Sequence, residues 1–147
     1  VAYICCGDNN GTLVDDLWKF DGSDWKQLRD IANNDSDEDY DDDYAITRAG
    51  TVSFVIDGRG YIATGTRSGV TSDYWVYDPE EDLWYGDSDD DYTPMTNVHN
   101  VSSGGSSRSY AVSFSTGKRG FVLSGSSGTS YFDDVYELLP YEQEDVD

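Results

Sequence analysis

The 147-residue sequence is poor in several residue types, and each shortage excludes a class of function. It has 9 basic residues against 30 acidic ones, a formal net charge of −21. Such a field repels DNA, RNA and anionic membrane surfaces, so we expect no nucleic-acid partner. One histidine and two cysteines are too few for a four-ligand zinc site.

Long hydrophobic runs are also lacking, and none approaches the roughly 20 residues that a transmembrane helix needs. We therefore expect no transmembrane segment. The pattern of a signal peptide is missing as well. The first seven residues, Val1 to Gly7, are typical of the interior of a β-strand, so we expect further sequence to precede them.

The two cysteines, Cys5 and Cys6, are adjacent. Neighbouring side chains of a strand point to opposite faces of the sheet, and a disulfide between them would be strained. We therefore expect two free thiols at small, buried, apolar positions.

The abundant residues favour a β-rich fold. Aromatic residues make up 14% of the sequence, including 12 Tyr and 4 Trp, which is enough to build a core. The 15 glycines, together with Ser and Asp, separate short apolar runs. This punctuation is typical of strands joined by tight turns.

Internal repetition is the strongest feature of the sequence. Residues 48–54 recur as 108–114, and residues 59–65 recur as 119–125, in both cases sixty positions later. A third segment occurs at 15–21, 72–78 and 133–138. A fourth occurs around Trp25 and Trp84. Each repeat therefore contains four short segments with the period-two alternation of half-buried antiparallel strands.

A repeat that holds four strands is the pattern of a β-propeller, in which four-stranded antiparallel blades stack around an axis. We expect about two and a half blades of a larger ring. The predicted parts are strands two to four of one blade (1–28), a full blade (48–86), strands one to three of a last blade (108–140), acidic or polar loops between blades (29–47 and 87–107) and an acidic tail (141–147). Because so few blades cannot close a ring, we expect the remaining blades of the same propeller, or other chains, to complete it.

Eight residues hold equivalent repeat positions and are predicted to be structural. They are Trp18, Trp75 and Tyr136 in the third strand, Trp25 and Trp84 in the fourth, and Gly7, Gly65 and Gly125 at the end of the second. The third-strand aromatics should fill equivalent pockets between blades. The glycines should allow positive φ or a close backbone approach.

Residues 58–84 resemble the kelch consensus: a hydrophobic strand, a glycine turn, an aromatic strand ending in Tyr-Asp-Pro, and a Trp. The whole chain is similar to the C-terminal part of kelch-repeat lipoproteins of Bacteroides-type gut bacteria, which share the acidic insertion at 36–44 and the motif at 131–140. It departs from animal kelch proteins in having a single glycine where they have two, and from the lipoproteins in its long Ser/Gly stretch at 102–107. The resemblance implies a kelch-type β-propeller, secreted and held at the outer-membrane surface by lipid on an N-terminus not included in this sequence.

No catalytic constellation is recognisable, and we expect no enzyme activity in this stretch. His99 is the single histidine, so a copper site like that of galactose oxidase, itself a kelch propeller, lacks ligands. Cys5 and Cys6 have no evident base to activate a nucleophile. The sequence requires no cofactor, although calcium could bind.

The candidate calcium ligands are four alternating aspartates in one acidic loop: Asp37, Asp39, Asp41 and Asp43. Carboxylate oxygens are the ligands that calcium prefers, but the loop lacks the spacing of an EF-hand. The alternative is a solvated, self-repelling surface loop.

Candidate ligand-binding residues are Tyr40, Tyr44 and Tyr92 in the acidic loops, with Arg48 and Arg108 at the start of the inner strands. Tyrosines among carboxylates can stack on sugar rings and hydrogen-bond their hydroxyls. The alternative role for each arginine is pairing with a neighbouring carboxylate.

These observations leave three functional hypotheses. The first is a non-catalytic binding or scaffold propeller at a bacterial cell surface that recognises glycan or protein. The second is part of an enzyme whose catalytic residues lie in other blades or another domain. The third is a structural subunit of an outer-membrane assembly.

Overall fold

In the computed structural model, the protein is described over residues 1–31, 46–86, 98–100 and 106–138. Every regular element in these ranges is a β-strand, and every strand pair is antiparallel. This confirms the expected all-β, antiparallel architecture. The described residues contain no helix that could cross a membrane. The chain divides into two compact units, Val1–Ala49 and Gly50–Asp147.

The first unit contains a three-stranded sheet, called sheet 1, and a small hairpin. The strands in chain order are β1 (Ala2–Cys5), β2 (Asp8–Asn9), β3 (Thr12–Leu13), β4 (Leu17–Phe20) and β5 (Trp25–Gln27). Sheet 1 has the order β1-β4-β5, and β2 pairs with β3. The hairpin turns at Asn10-Gly11, whose φ angles of 56° and 91° suit the tight turn that this dipeptide favours.

The second unit begins with sheet 2, a four-stranded meander. Its strands are β6 (Val52–Ile56), β7 (Arg59–Ala63), β8 (Tyr74–Asp78) and β9 (Leu83–Gly86), hydrogen-bonded in that order. The first turn is Asp57-Gly58, with φ angles of 48° and 82°, again a favoured hairpin dipeptide. The repeat segments of the sequence therefore correspond to consecutive strands of one sheet.

Sheet 3 completes the second unit, and it contains a strand that the sequence does not reveal. Its strands are β10 (Val98–Asn100), β11 (Val112–Ser115), β12 (Gly120–Leu123) and β13 (Val135–Leu138), in the order β10-β13-β12-β11. Strand β10 lies within 87–107, where only a loop was predicted. It pairs with β13 as the fourth strand of sheet 3, whereas the sequence predicted only three strands for this blade. Three residues are too few for an alternation signal, and the free backbone edge of β13 selects the pairing.

Sheets 2 and 3 share the hydrophobic core of the second unit. Along β6, side chains alternate strictly between buried and exposed, with Val52, Phe54 and Ile56 buried. They form one cluster with Val122, Tyr136 and Leu138 of sheet 3. The Ser113 hydroxyl donates to the Ser53 carbonyl at 2.8 Å, which fixes β11 beside β6.

The third-strand aromatics have a common local contact that the repeat pattern explains. In each repeat, the aromatic side chain donates a hydrogen bond to the aspartate two residues earlier: Trp18 Nε1 to Asp16 (2.6 Å), Trp75 Nε1 to Asp73 (3.3 Å) and the Tyr136 hydroxyl to Asp134. Tyr136 is buried between sheets 2 and 3, whereas Trp18 and Trp75 are half-buried.

The fourth-strand tryptophans also have equivalent surroundings. Trp25 stacks on Phe20 with ring centroids 4.8 Å apart, and Trp84 packs on Tyr77 at 5.0 Å. Each is a directly opposed cross-strand pair, the arrangement in which aromatic side chains stabilise a sheet. Trp84 is buried and Trp25 is half exposed.

Candidate functional site

Arg108 is the candidate site residue whose surroundings are best defined. Its backbone lies just before β11 and joins sheet 3 to the loop that follows β7. The Arg108 N–H donates to the Thr71 carbonyl at 3.0 Å, and its carbonyl accepts from the Gly65 N–H at 2.7 Å. Gly65 has a φ of 102°, a left-handed conformation that glycine adopts without strain. These two backbone hydrogen bonds therefore fix the position of the Arg108 backbone, from which the side chain extends.

The Arg108 guanidinium is enclosed by acceptors from segments next to the strands of sheet 3. Its two terminal nitrogens donate to the two carboxylate oxygens of Asp134, with Nη2–Oδ2 at 2.9 Å. It also donates to the carbonyls of Ser124 at 2.8 Å and Ser106 at 3.2 Å. The side chain is 1% exposed, so the group has no surface left for a ligand.

Aromatic rings and the paired carboxylate complete the environment of this cation. The guanidinium carbon lies 4.4 Å from the ring centroid of Phe132 and 4.5 Å from that of Tyr136, within the range of cation–π attraction. The hydrogen bonds from Arg108 lower the pKa of Asp134, although burial opposes this. Of the two predicted roles for Arg108, the structure therefore supports carboxylate pairing.

Arg48 is likewise buried, at the end of the first unit. Its Nε donates to the Ile46 carbonyl at 2.9 Å, and its own carbonyl accepts from the Gly7 N–H at 2.9 Å. Arg108 and Gly65 repeat this backbone relationship in the next repeat, where the Gly65 N–H donates to the Arg108 carbonyl at 2.7 Å. The repeated arginines therefore anchor the end of a second strand through the glycine that terminates it.

A small cavity lies between sheets 2 and 3, beside Arg108. Its volume is about 70 Å³, and apolar side chains such as Phe54, Tyr74 and Tyr136 form most of its wall. Pockets that hold small organic ligands are typically about 300–1,000 Å³. The cavity is several-fold smaller than this, so it is a packing gap between two sheets and not a site for a sugar ring.

The other candidate residues lie outside the described ranges. They are Tyr40, Tyr44 and Tyr92, and the four aspartates Asp37, Asp39, Asp41 and Asp43. His99 lies in β10, with its backbone opposite Glu137 of β13. Over the ranges that the structure covers, no group of three or more His, Cys, Asp or Glu side chains could hold a metal ion.

Sequence reasoning did not find the arrangement of the two cysteines. Strand β1 ends at Cys5, and Cys6 has a left-handed φ of 65°, so the predicted placement on opposite faces does not hold. The Cys6 thiol instead donates to the Ile46 carbonyl at 3.8 Å. The equivalent residues of the other two repeats, Thr64 and Ser124, have similar φ angles of 61° and 57°. The left-handed residue before the glycine is therefore a feature of the repeat.

The protonation of this pair is asymmetric. The neighbouring Cys5 thiol lowers the pKa of Cys6, burial opposes this, and the Arg48 N–H and guanidinium lower it further. The neighbouring Cys6 thiol and burial raise the pKa of Cys5, and the negative charges of Cys6 and Asp16 act in the same direction. The two adjacent thiols are therefore shifted in opposite directions.

No protein-family model matches the sequence. No curated protein matches it either. Among solved structures, one described as "Structure of YjhT" is similar, with 15% sequence identity and a TM-score of 0.46. The match covers 82% of this chain and 32% of that chain, so this chain corresponds to about a third of the length of YjhT in that structure. What the fold itself establishes is the class: an all-β protein built of antiparallel sheets.

Proposed function

We propose that this chain is part of a kelch-type β-propeller that acts as a non-catalytic binding or scaffold module at a bacterial cell surface and recognises glycan or protein. The observation that supports this proposal concerns one face of sheet 3, called its outer face, which contains Val112 and Phe114. The outer face has the apolar residues of a face that packs against another sheet, but these residues are exposed to solvent.

The comparison of equivalent positions in β6 and β11 makes this clear. Val52 and Phe54 of β6 are 5% and 7% exposed because sheet 3 packs over them. Their counterparts sixty residues later, Val112 and Phe114 of β11, are 62% and 50% exposed. The sequence retains apolar residues on a face that none of the described residues covers as sheet 3 covers Val52 and Phe54.

The aromatic pairs of the two faces are arranged alike. Phe54 stacks on Tyr61 with centroids 5.5 Å apart and an interplanar angle of 7°. Phe114 stacks on Phe121 at 4.6 Å and 15°. A contiguous apolar face of this kind marks an interaction surface. Its natural occupant is a further sheet of the propeller, from the same polypeptide or from another chain.

The charge and composition of the chain support the recognition of glycan or protein. A net charge of −21 disfavours polyanionic partners, while neutral sugars and basic protein surfaces remain compatible. The tyrosines and aspartates of the loops at 29–47 and 87–107 could stack on sugar rings and bind hydroxyl groups. The similarity to surface lipoproteins supports a location on the outer membrane, with lipid attached at an N-terminus beyond this sequence.

A glycan array tests the binding function with matched tyrosine variants. We expect the wild-type protein to bind a defined set of glycans, and the double variant Tyr40→Ala/Tyr44→Ala to lose that binding. The control is Tyr110→Ala/Tyr131→Ala, which removes two exposed tyrosines of the second unit and should leave binding intact. Equal loss in both variants would contradict the assignment.

Two further measurements test the propeller architecture and the binding function independently. The intact mass and N-terminal sequence of the polypeptide purified from its source reveal whether more sheets accompany this stretch. Fixed-ratio co-purification with an outer-membrane complex, in the absence of glycan binding, would support the scaffold role and contradict glycan recognition.

A further inference from the structure

The contact between sheets 2 and 3 shows which side chains one sheet uses to cover the next. Sheet 3 contributes Val122, Tyr136 and Leu138, which are 7%, 7% and 5% exposed. They belong to the cluster that contains Val52 and Phe54 of β6. Val122 and Tyr136 are directly opposed across β12 and β13, so they share a face. This face of sheet 3 is called its covering face.

Sheet 1 has the equivalent face, but its residues are exposed. Ile4, Trp18 and Phe20 occupy the repeat positions of the three residues of the covering face, and Ile4 is directly opposed to Trp18 across β1 and β4. Ile4 is 54% exposed, and Trp25, which stacks on Phe20, is 51% exposed. Sheet 1 therefore has the residues that cover another sheet and leaves them in contact with solvent.

The outer face of sheet 3 is the complementary half of this contact. Val112 and Phe114 hold the repeat positions of Val52 and Phe54, the residues that sheet 3 covers in sheet 2. One chain thus has both halves of a sheet-to-sheet contact on two different sheets. A contact between two different surfaces of identical chains is heterologous, and it closes into a ring when the rotation between copies allows.

We infer that sheet 1 of a second copy of this chain covers the outer face of sheet 3. The inference rests on the proposed function, because it requires sheets that stack as the blades of a propeller. Sheets 1 to 3 of two copies give six blades, within the range of about 4–8 that propellers contain. The expected particle is therefore a closed dimer, in which each copy provides one covering sheet and one covered sheet.

The charge of the chain opposes association, but little of it lies at the contact. A net charge of −21 makes two copies repel each other. On the exposed face of sheet 1, the strand residues are all uncharged: Ala2, Ile4, Trp18, Phe20, Trp25 and Gln27. On the outer face of sheet 3, Glu137 forms an ion pair with Arg119. The repulsion is therefore long-range, and salt screens it.

Two features make this contact weaker than the one between sheets 2 and 3. Sheet 1 has no counterpart of β11, so the contact depends on β1 and β4. In addition, the Phe54 ring lies where a Cβ on Gly120 would be, whereas Ala2 of sheet 1 holds the Gly120 position and has a Cβ. Ala2→Gly should therefore strengthen dimerisation, because it makes room for the Phe114 ring of the second copy.

Sedimentation equilibrium in reducing buffer at roughly 0.15 M salt, where the screening length is about 8 Å, tests the inference. We expect the wild type to have twice the mass of one chain and to dissociate on dilution. Ile4→Asp, Phe114→Asp and Val112→Asp each bury a carboxylate in the contact and should weaken dimerisation at least about tenfold. All three positions are at least half exposed in one chain, so the circular dichroism spectra should not change. Tyr131→Asp is the control, because Tyr131 is 92% exposed and lies outside both faces.

A mixing experiment identifies which faces meet. Ile4→Asp keeps the outer face of sheet 3 intact, and Phe114→Asp keeps the exposed face of sheet 1 intact. Neither variant should dimerise alone, but an equimolar mixture should form a heterodimer through the one intact contact that remains. If two outer faces of sheet 3 paired with each other instead, Ile4→Asp would dimerise alone and the mixture would gain nothing.

A monomeric wild type, or an Ile4→Asp variant that dimerises as tightly as the wild type, would overturn the inference. The glycan array is read separately from these measurements. Glycan binding by a monomeric chain would leave the proposed binding function standing without this inference. A dimer that binds neither glycan nor protein would support the sheet contact and contradict the proposed binding function.

Discussion

Phe54 and Phe114 occupy the same position in two successive sheets, yet Phe54 is buried beneath sheet 3 and Phe114 is half exposed. Phe54→Ala should destabilise the chain by about 3–5 kcal/mol, the usual cost of removing a buried phenylalanine. Phe114→Ala should cost less than half of this, because its ring already contacts water. Urea unfolding of the two variants measures both values.

The same pair tests whether another sheet covers sheet 3. In a longer polypeptide or assembly that completes the ring, the cost of Phe114→Ala should rise to that of Phe54→Ala. If Phe114→Ala remains inexpensive in every assembly that can be isolated, then the apolar face has no sheet as its occupant.

Gly120 should be intolerant of a side chain, whereas its counterpart Gly60 should tolerate one. A Cβ at Gly120 would overlap the ring of Phe54, while a Cβ at Gly60 would meet only the Tyr77 Cβ at an ordinary 3.8 Å. Gly120→Ala should therefore cost about 1–3 kcal/mol through overpacking, and Gly60→Ala should be nearly neutral. Thermal unfolding distinguishes them, and equal midpoints would show that sheets 2 and 3 are not packed as described.

The Arg108–Asp134 pair should make the second unit sensitive to acid. The pKa of Asp134 is lowered in the folded state, so the pair stabilises the fold above the ordinary carboxyl pKa of about 3.9. That contribution is lost as the pH falls through the lowered value. Asp134→Asn leaves a buried cation unpaired and should cost about 3 kcal/mol at neutral pH. The difference from wild type should shrink progressively below about pH 4.

Asp78→Asn is the comparison variant for this experiment. Burial raises the pKa of Asp78, but hydrogen bonds from Arg59 and the Glu80 N–H lower it more. Arg59 is about one third exposed (32%), so water replaces its partner at little cost. A loss as large as that of Asp134→Asn would contradict the structural role assigned to the buried Arg108.

Gly125 should be more sensitive to alanine than Gly128, although both have left-handed φ angles, 95° and 90°. A Cβ at Gly125 would lie 2.9 Å from the Ser109 carbonyl oxygen, whereas nothing lies within 4 Å of one at Gly128. The backbone strain is common to both, so the difference in unfolding free energy isolates the close approach. Equal costs would mean that strain alone decides this position.

Much of the sheet architecture could be predicted because it is written in short, repeated patterns. The alternation in β6 and the tight-turn dipeptides Asn10-Gly11 and Asp57-Gly58 specify strands and hairpins locally. The positive φ of Gly65 follows from its place after a strand. These features depend on residues a few positions apart, so the order of residues is enough to reveal them.

The candidate site was much less predictable. The sequence marked Arg108 as a repeated residue but left open whether it faces a ligand or a carboxylate. Its partner Asp134 is 26 residues away, and the pairing of β11 with β12 and of β12 with β13 brings the two together. The left-handed conformation of Cys6 likewise needed the structure, since cysteine has no intrinsic preference for it.

The sequence by itself determined that this protein is a series of antiparallel sheets with apolar faces and glycine-terminated strands, because periodicity and turn chemistry are local properties. The tertiary structure alone decided that β10 joins sheet 3, that Arg108 pairs with Asp134, and that Val112 and Phe114 of β11 are exposed. These outcomes depend on long-range pairing and burial, which are set by the free energy of the assembled sheets and not by neighbouring residues.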